Sequence, residues 1–170
     1  MDCIEALKTR RSIREFTEEE PSLNTILKAL DIARYAPSAK NTQPWRFIIV
    51  RDKNLIDKLS RIHSGATPLK NAKTAVVVLA NKNESPTSYL IDASLAAVYF
   101  WLALHCIGLG AVWIQTLRNI NEINKILDIP EEYIPVAIFA IGYPREKPGP
   151  KPRRPLKELV FINKYGNRLE

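Results

Sequence analysis

A mixed α/β domain, with a central mixed sheet of four or five strands and helices on both faces, is the fold class this sequence predicts. Three observations carry it. Short β-branched runs alternate along the chain with stretches of helical periodicity, so strands and helices interleave. With 170 residues and 46% hydrophobic content, the chain is the size of one domain with a real core, and residues 1–170 are expected to form a single unit. The run "TAVVVLA" is apolar on both sides, which suits a strand covered on both faces.

Taken in order, Asp2 is positioned to cap a short first helix that carries Cys3, Ile4 and Leu7 on one side. Ser22 precedes a cleaner amphipathic helix with Leu23, Ile26, Leu27 and Leu30 at helical spacing, which must end before Pro37. "WRFIIV" (45–50) reads as the first strand, and Asp52 caps a helix with Leu55, Ile56, Leu59 and Ile62 on its apolar face. "TAVVVLA" (74–80) is the second strand, and central.

Ser85 and Pro86 open a long helix to about Ile107 that is apolar almost all round in its second half. Such a helix needs cover on most sides, part of which another subunit can supply. "AVWIQT" (111–116) is the third strand, Asn121 begins a short helix with Ile123, Ile126 and Leu127, and "IPVAIFAIGYP" (134–144) is the fourth strand. The Pro- and Lys/Arg-rich remainder, 145–170, forms no regular core element. Its apolar "LVFI" (159–162) is expected to dock as an extended segment on the core or on a partner subunit.

The N-terminus has charges early and no apolar run, so no secretory signal is expected. Cys3 and Cys106 do not suggest a disulfide framework, and a reducing cytoplasm is the simplest compartment. Residues 93–117 contain no Asp, Glu, Lys or Arg and could pass for a membrane span, but Gly108 and Gly110 divide them into an apolar helix and a strand. A buried core helix fits that length better, and no membrane association is expected. The net charge of +7 admits a solvated basic surface, weak nucleic-acid affinity, or arginines that hold a phosphate.

Four stretches stand out. "TRRSIREF" (9–16) places Arg10, Arg11 and Arg14 around Ser12, and planar guanidinium forks suit phosphate. The same arginines could simply decorate the negative end of a helix. "APSAKNTQPWRF" (36–47) holds Ser38, Asn41, Thr42 and Gln43 between two prolines, more hydrogen-bonding groups than a turn needs. "GLGAVWIQT" (108–116) has glycines that end a helix and open a strand, the reverse of a dinucleotide fingerprint, with Gln115 and Thr116 at the strand's end. "KPGPKPRRP" (147–155) carries Lys151, Arg153 and Arg154 on a stiff tail.

His63 and His105 lie far apart in sequence without ligand spacing, so no metal site is expected, and His105 on its apolar helix reads as a hydrogen-bonded core residue. No phosphate-loop lysine or nucleophile elbow is present, so difficult chemistry falls to a bound cofactor.

In this order, "RRSIR-F", "APS-xx-N-x-QPW-x-F", "GLGAVWI", "IGYP" and a late Lys/Arg-Pro segment resemble the flavin-dependent nitroreductase family over nearly the whole chain. The resemblance implies an FMN-binding homodimer with the flavin at the subunit interface and the C-terminal tail exchanged between subunits. It also implies a ping-pong exchange, in which NADH or NADPH reduces the flavin and leaves before a small-molecule electron acceptor, a nitro compound or quinone, is reduced at the same place. By the same resemblance Arg10, Arg11, Ser12 and Arg14 run along the flavin from its phosphate towards the pyrimidine edge. Arg14 is the candidate to stabilise negative charge on the reduced ring.

Lys151 and Arg153, with Arg154 as substitute, match the family's late basic pair at the phosphate. Pro37, Ser38, Ala39, Asn41 and Gln43 match the segment that frames the ring from the other subunit. Gln115 and Thr116 match the amides near the hydride-accepting nitrogen, where many relatives carry Glu-Gly. Ala39 stands where many have Ser. The region between Asn81 and Tyr89 is too short for the inserted helical segment that often covers the flavin, which implies an open pocket and loose acceptor preference.

Two other readings compete. One is a specialised flavoenzyme of the same fold, a reductive dehalogenase or a flavin dehydrogenase without a nicotinamide partner. The other is a basic nucleic-acid-binding domain using the arginines with Trp45, Trp101 and Trp113. The tryptophans argue against the second, because they fall in core elements and do not interleave with the basic clusters.

Overall fold

The computed structural model describes residues 2–169. Helix α1 (Cys3–Thr9) is followed by α2 (Leu23–Ala33), a single 3-10 turn at Ala39–Asn41 and strand β1 (Trp45–Val50). Helix α3 (Lys53–Leu59) leads through a 3-10 helix at Ser64–Asn71 to β2 (Thr74–Asn81). Helix α4 (Tyr89–Cys106), β3 (Gly110–Ile114), α5 (Ile120–Leu127) and β4 (Tyr133–Gly142) complete the core, and a single turn, α6 (Leu156–Leu159), lies in the tail.

The four strands form one sheet in the order β1-β2-β4-β3, with every neighbouring pair antiparallel. The parallel element of the expected mixed sheet shrinks to a lone bridge between Ser12 and Ala111. Strand β2 is central and wholly buried, as its two-sided apolar run requires. Two cores follow from the alternation of its side chains. Val76, Val78 and Ala80 face α2 and α4, while Ala75, Val77 and Leu79 face α3, the second 3-10 helix and α5.

Caps account for the helix starts. Asp2, Ser22 and Asp52 each accept a backbone N–H of the first turn of the helix they precede. The long helix opens three residues later than Ser85-Pro86 suggests, at Tyr89. Ser85 does not cap it but donates its hydroxyl to the buried carboxylate of Asp92 at 2.9 Å. Gly108, at φ +85°, takes the left-handed conformation that ends α4.

Helix α4 is long and apolar enough, at mean hydropathy 1.4, to span a membrane by composition alone. It packs instead as a core helix. Ala93, Ala96, Ala97, Phe100 and Leu104 lie against the sheet, and Phe100 meets Phe139 edge-on at 5.5 Å. Its other face, with Ile91, Leu95, Val98 and Tyr99, is exposed.

Three expected burials do not occur within one chain. Ile4 and Leu7 of α1 are 63% and 57% exposed, and the helix is anchored by Ala6 instead. Leu23 and Leu27 of α2 lie outside, because Ile26, Ala29 and Ala33 form the stripe that meets α4. The tail does not dock on its own core: Leu156, Leu159 and Ile162 are exposed, and Tyr165 is 92% exposed.

Candidate functional site

The segment "RRSIREF" leaves α1 and is laid across the strand ends like an extra half-strand. Ile13 N–H donates to Ala111 O at 3.0 Å, Thr17 N–H to Tyr143 O at 2.9 Å, and Arg145 N–H to Glu15 O at 3.0 Å. The Glu146 carboxylate accepts from the backbone N–H of Arg14 at 2.6 Å and of Glu15 at 3.2 Å. Ile13 and Phe16 are buried, Arg14 between them is exposed, and Arg10, Arg11, Ser12 and Glu15 are half-buried.

Two glycines permit this close approach. A Cβ on Gly110 would stand 2.8 Å from Ile13, and one on Gly142 would stand 2.8 Å from Phe16. The "GLG" and "IGYP" motifs are thus the seats on which the arginine segment rests.

Arg10 projects over the Trp101 ring, with its guanidinium carbon 3.9 Å from the centroid. Trp101 is itself held by donating from Nε1 to Ala111 O at 3.1 Å. The Nη1 atom of Arg10 is out of contact with solvent and has no hydrogen-bond partner among the described residues. Burial first, then the charges of Arg11 and Arg153, pull the Arg10 pKa below the usual guanidinium value.

Arg11 folds back onto the chain, donating from Nη1 to Lys8 O and to Arg10 O, each at 2.8 Å. Its Nε reaches Gly149 O of the tail at 3.3 Å. Three guanidinium groups from the two ends of the chain therefore share one field, and among the described residues no acid is paired to Arg10.

Arg10 and Arg11 border a cavity of about 340 Å³, with Ile13, Trp101, Leu109 and Pro144 as its apolar wall and Glu146 and Lys147 also lining it. His105 completes the polar side. Thr9 Oγ1 donates its proton to Glu5 O at 2.6 Å, so the 3.0 Å contact to His105 Nε2 requires the histidine to donate. Burial, then Arg10 and Arg11, push the His105 pKa below the ordinary value, and Glu5 only partly opposes them. His105 is hydrogen-bonded, as its sequence setting suggests, but it lines the cationic cavity and is not enclosed in the core.

An orphaned, desolvated donor among like charges is a poor way to build a helix end and a good way to receive an anion. The residues present fit the phosphate of FMN by that test. Among the sequence-derived candidates, the structure brings Arg10 and Arg11 together at the cavity, with Arg153 within electrostatic reach. Ser12 is half-buried beside them. Arg14 is exposed, and so are Lys151 and Arg154 on the tail.

Gln115 and Thr116 lie at the far end of β3 in a tight turn. Gln115 is exposed and accepts Leu117 N–H on its own side chain, while Thr116 is buried and donates to Pro135 O at 2.6 Å. The Pro37–Gln43 loop does not meet the arginines within one chain. Ala39 N–H donates to buried Asp92 at 3.2 Å and Gln43 N–H to Ser38 Oγ at 3.0 Å, with Asn41 and Gln43 at positive φ. Pro37, Ala39, Asn41 and Gln43 stay exposed.

Thr9, Trp101, His105 and Glu146 also line the cavity and are not among the residues to which the flavin resemblance points. The signal for two of them was present: Trp101 and His105 stand four apart on α4 and so share a helix face.

The model of the family described as "Nitroreductase family" matches residues 7–86 and 65–143. A protein of Methanothermobacter thermautotrophicus, provisionally named an NADH dehydrogenase/NAD(P)H nitroreductase, is 38% identical over 154 residues, covering 88% of this chain and 81% of its own. The iodotyrosine deiodinase of Thermotoga neapolitana is 31% identical over 176 residues, covering 90% of this chain and 92% of its own. Among solved structures, an FMN-dependent nitroreductase from Clostridium difficile superposes with a TM-score of 0.87 at 34% identity, covering 95% of this chain and 99% of that one.

Proposed function

The chain belongs to the nitroreductase family, and from that premise we propose how it works: it is an FMN-dependent NAD(P)H oxidoreductase that reduces small-molecule electron acceptors. The observation that carries this reading is the Arg10 guanidinium, desolvated over Trp101 with Nη1 unpartnered and repelled by Arg11 and Arg153. A phosphate monoester carries between one and two negative charges at neutral pH and would satisfy that donor.

Arg10, Arg11 and Arg153 hold the phosphate, with Lys151 and Arg154 at the rim. Ser12 and Arg14 follow along the ribityl chain to the pyrimidine edge, where a fixed cation favours negative charge. FMN, when bound, supplies two-electron chemistry between the nicotinamide donor and an acceptor such as a nitro compound or quinone. The Gln115–Thr116 peptide is assigned to the ring nitrogen that accepts hydride. Its turn is fastened to β4 through Thr116, so the amide is held before the cofactor arrives. The short connection between Asn81 and Tyr89 leaves the acceptor side open and the acceptor range broad.

The working unit is a homodimer. Ile91, Leu95, Val98 and Tyr99 line one exposed face of α4. Beside it an apolar groove of about 610 Å³ runs between α1, α2 and α4, lined by Leu7, Ile32 and Leu102 among others. Burial of this surface by a second copy accounts for the misplaced leucines of α1 and α2. It also brings Pro37, Ser38, Ala39, Asn41 and Gln43 of one subunit towards the arginines of the other. The chain acts as one FMN-binding domain, and 145–170, exposed on its own protomer, packs on the partner. Free thiols at Cys3 and Cys106 fit a reducing cytoplasm.

A second reading draws on the likeness to iodotyrosine deiodinase: the same bound FMN removes halogen from an aromatic substrate. Purification tests both. The expected protein is yellow, releases one FMN per chain, is bleached by NADH or NADPH, and turns over nitroaromatics or quinones. Halide release without nitro or quinone turnover favours the second reading. A colourless protein that cannot be reconstituted with FMN overturns both.

A further inference from the structure

His105 lines the cationic cavity from the last turn of α4, half-buried, on a wall shared with Thr9, Arg10 and Arg11. The one proton of the Thr9 hydroxyl is spent on Glu5 O at 2.6 Å. The 3.0 Å contact to Thr9 Oγ1 is therefore donated by His105 Nε2. That bond fixes the neutral ring as the Nε2–H tautomer and leaves the lone pair on Nδ1. Nδ1 makes no hydrogen bond among the described residues, so a proton arriving there breaks nothing.

The influences on the ring oppose one another. Burial, then Arg10 and Arg11 of the arginine segment, disfavour the imidazolium. Glu5 on α1 favours it, and so does the last turn of α4, where the helix dipole presents its negative end. Glu146 and Lys147, at the start of the tail, line the same cavity with opposite signs. Helix α4 carries no charge nearer than Asp92, at its opposite end, and the neighbouring Cys106 thiol lines the other groove, between α1, α2 and α4. The neutral ring prevails because burial and two guanidinium groups outweigh Glu5 and the helix end.

We propose that His105 is a further phosphate-binding residue: it takes up a proton at Nδ1 when the FMN phosphate enters the cavity, and holds that phosphate as an imidazolium beside Arg10 and Arg11. The inference rests on the FMN-dependent reading above. A phosphate monoester brings between one and two negative charges, which turn the field at the ring from one that repels a proton to one that favours it. The balance is one proton from solvent to Nδ1 for each FMN bound, and no bond of the flavin is made or broken. Nε2 keeps its bond to Thr9 in both states, so the ring need not turn. The loaded ring stays charged at a pH where the flavin-free ring is neutral. The gain in FMN affinity is therefore lost as pH rises through the pKa of the loaded ring.

Calorimetric titration of FMN into the flavin-free protein, in buffers of different ionisation enthalpy, counts the protons. At about pH 7 wild type should take up about 0.5–1 proton per FMN, because fewer than about a quarter of the free rings are charged there. The FMN Kd should then rise about three- to tenfold between about pH 7 and 8. His105→Gln can still donate to Thr9 Oγ1 but cannot become charged, so its proton uptake should vanish and its Kd should change less than about twofold over that range. The ionisation of the phosphate itself, near pH 6, contributes equally to both proteins. In wild type the ring resonances of His105 should titrate below about pH 6.5 without FMN and above about pH 7 with it, a measurement that decides the matter even where the variant fails to fold.

Equal proton uptake by wild type and His105→Gln, or a His105 titration that FMN leaves in place, overturns the inference and leaves the FMN reading intact. Uptake of the same size on binding riboflavin, which has no phosphate, overturns it as well. A wild-type protein that takes up no FMN overturns both.

Discussion

Replacing Arg10 with methionine sets two accounts of that residue against each other. If the guanidinium holds the fold together, its loss destabilises the flavin-free protein. If it waits for a phosphate, its loss relieves the flavin-free protein and weakens cofactor binding. The structure supplies the terms. Nη1 is a buried donor with no partner, a condition that costs about 1–3 kcal/mol. Stacking over Trp101 at 3.9 Å returns about 0.5–2 kcal/mol. Methionine keeps an apolar stem against the indole, and its sulfur recovers about 0.3–1.5 kcal/mol of aromatic contact.

The flavin-free variant should therefore be as stable as wild type or up to about 2 kcal/mol more stable, a rise in Tm of about 0–8 °C for a chain of this size. A charge-assisted hydrogen bond to phosphate is worth about 1.5–3 kcal/mol, so the FMN Kd should rise roughly 10- to 150-fold. Calorimetry on the flavin-free protein and fluorescence titration with FMN measure the two halves. A fall in Tm of more than about 4 °C with FMN affinity unchanged would refute the reasoning.

Gly142→Ala places a methyl group 2.8 Å from Phe16 and should cost about 1–3 kcal/mol while displacing the arginine segment, so chemical denaturation and FMN titration should both register it. His105 has a folded pKa below its unfolded value of about 6.5, so its stabilising neutral form is fully present above that pH and its contribution is lost as pH falls towards the folded value. Unfolding free energies between about pH 5 and 7.5 should show this decline in wild type and not in His105→Gln, and bound FMN should flatten it because its phosphate favours the imidazolium. Val98→Asp puts a charge on the exposed face of α4 and should yield monomers in sedimentation that lose FMN; a stable yellow dimer would place the interface elsewhere.

The strands were legible because period and composition agreed: "WRFIIV" is β1 to the residue, and "TAVVVLA" is the buried centre of the sheet. Caps were legible for the same local reason at Asp2, Ser22 and Asp52. Long-range effects were not. Ser85 looks like a cap by sequence but is claimed by Asp92, seven residues on and buried. Ile4, Leu7, Leu23 and Leu27 look like core because a periodic pattern records that a face is covered, not whether its own chain covers it.

At the site, the arginines could be read from "TRRSIREF" because their chemistry is local. What holds them could not. Ile13 on Gly110, Phe16 on Gly142 and Glu146 under the Arg14 amide join residues more than ninety positions apart in sequence. Trp101 and His105 were read as core for want of the neighbour that makes them otherwise: the Arg10 side chain laid across the same end of α4.

The most direct test is a crystal structure of the protein grown with FMN. The account expects a dimer with the FMN phosphate within about 3 Å of Arg10 Nη1, Arg153 on the same phosphate, and Pro37–Gln43 of the partner against the ring. A flavin bound elsewhere, with Arg10 Nη1 still unpartnered over Trp101, would contradict it.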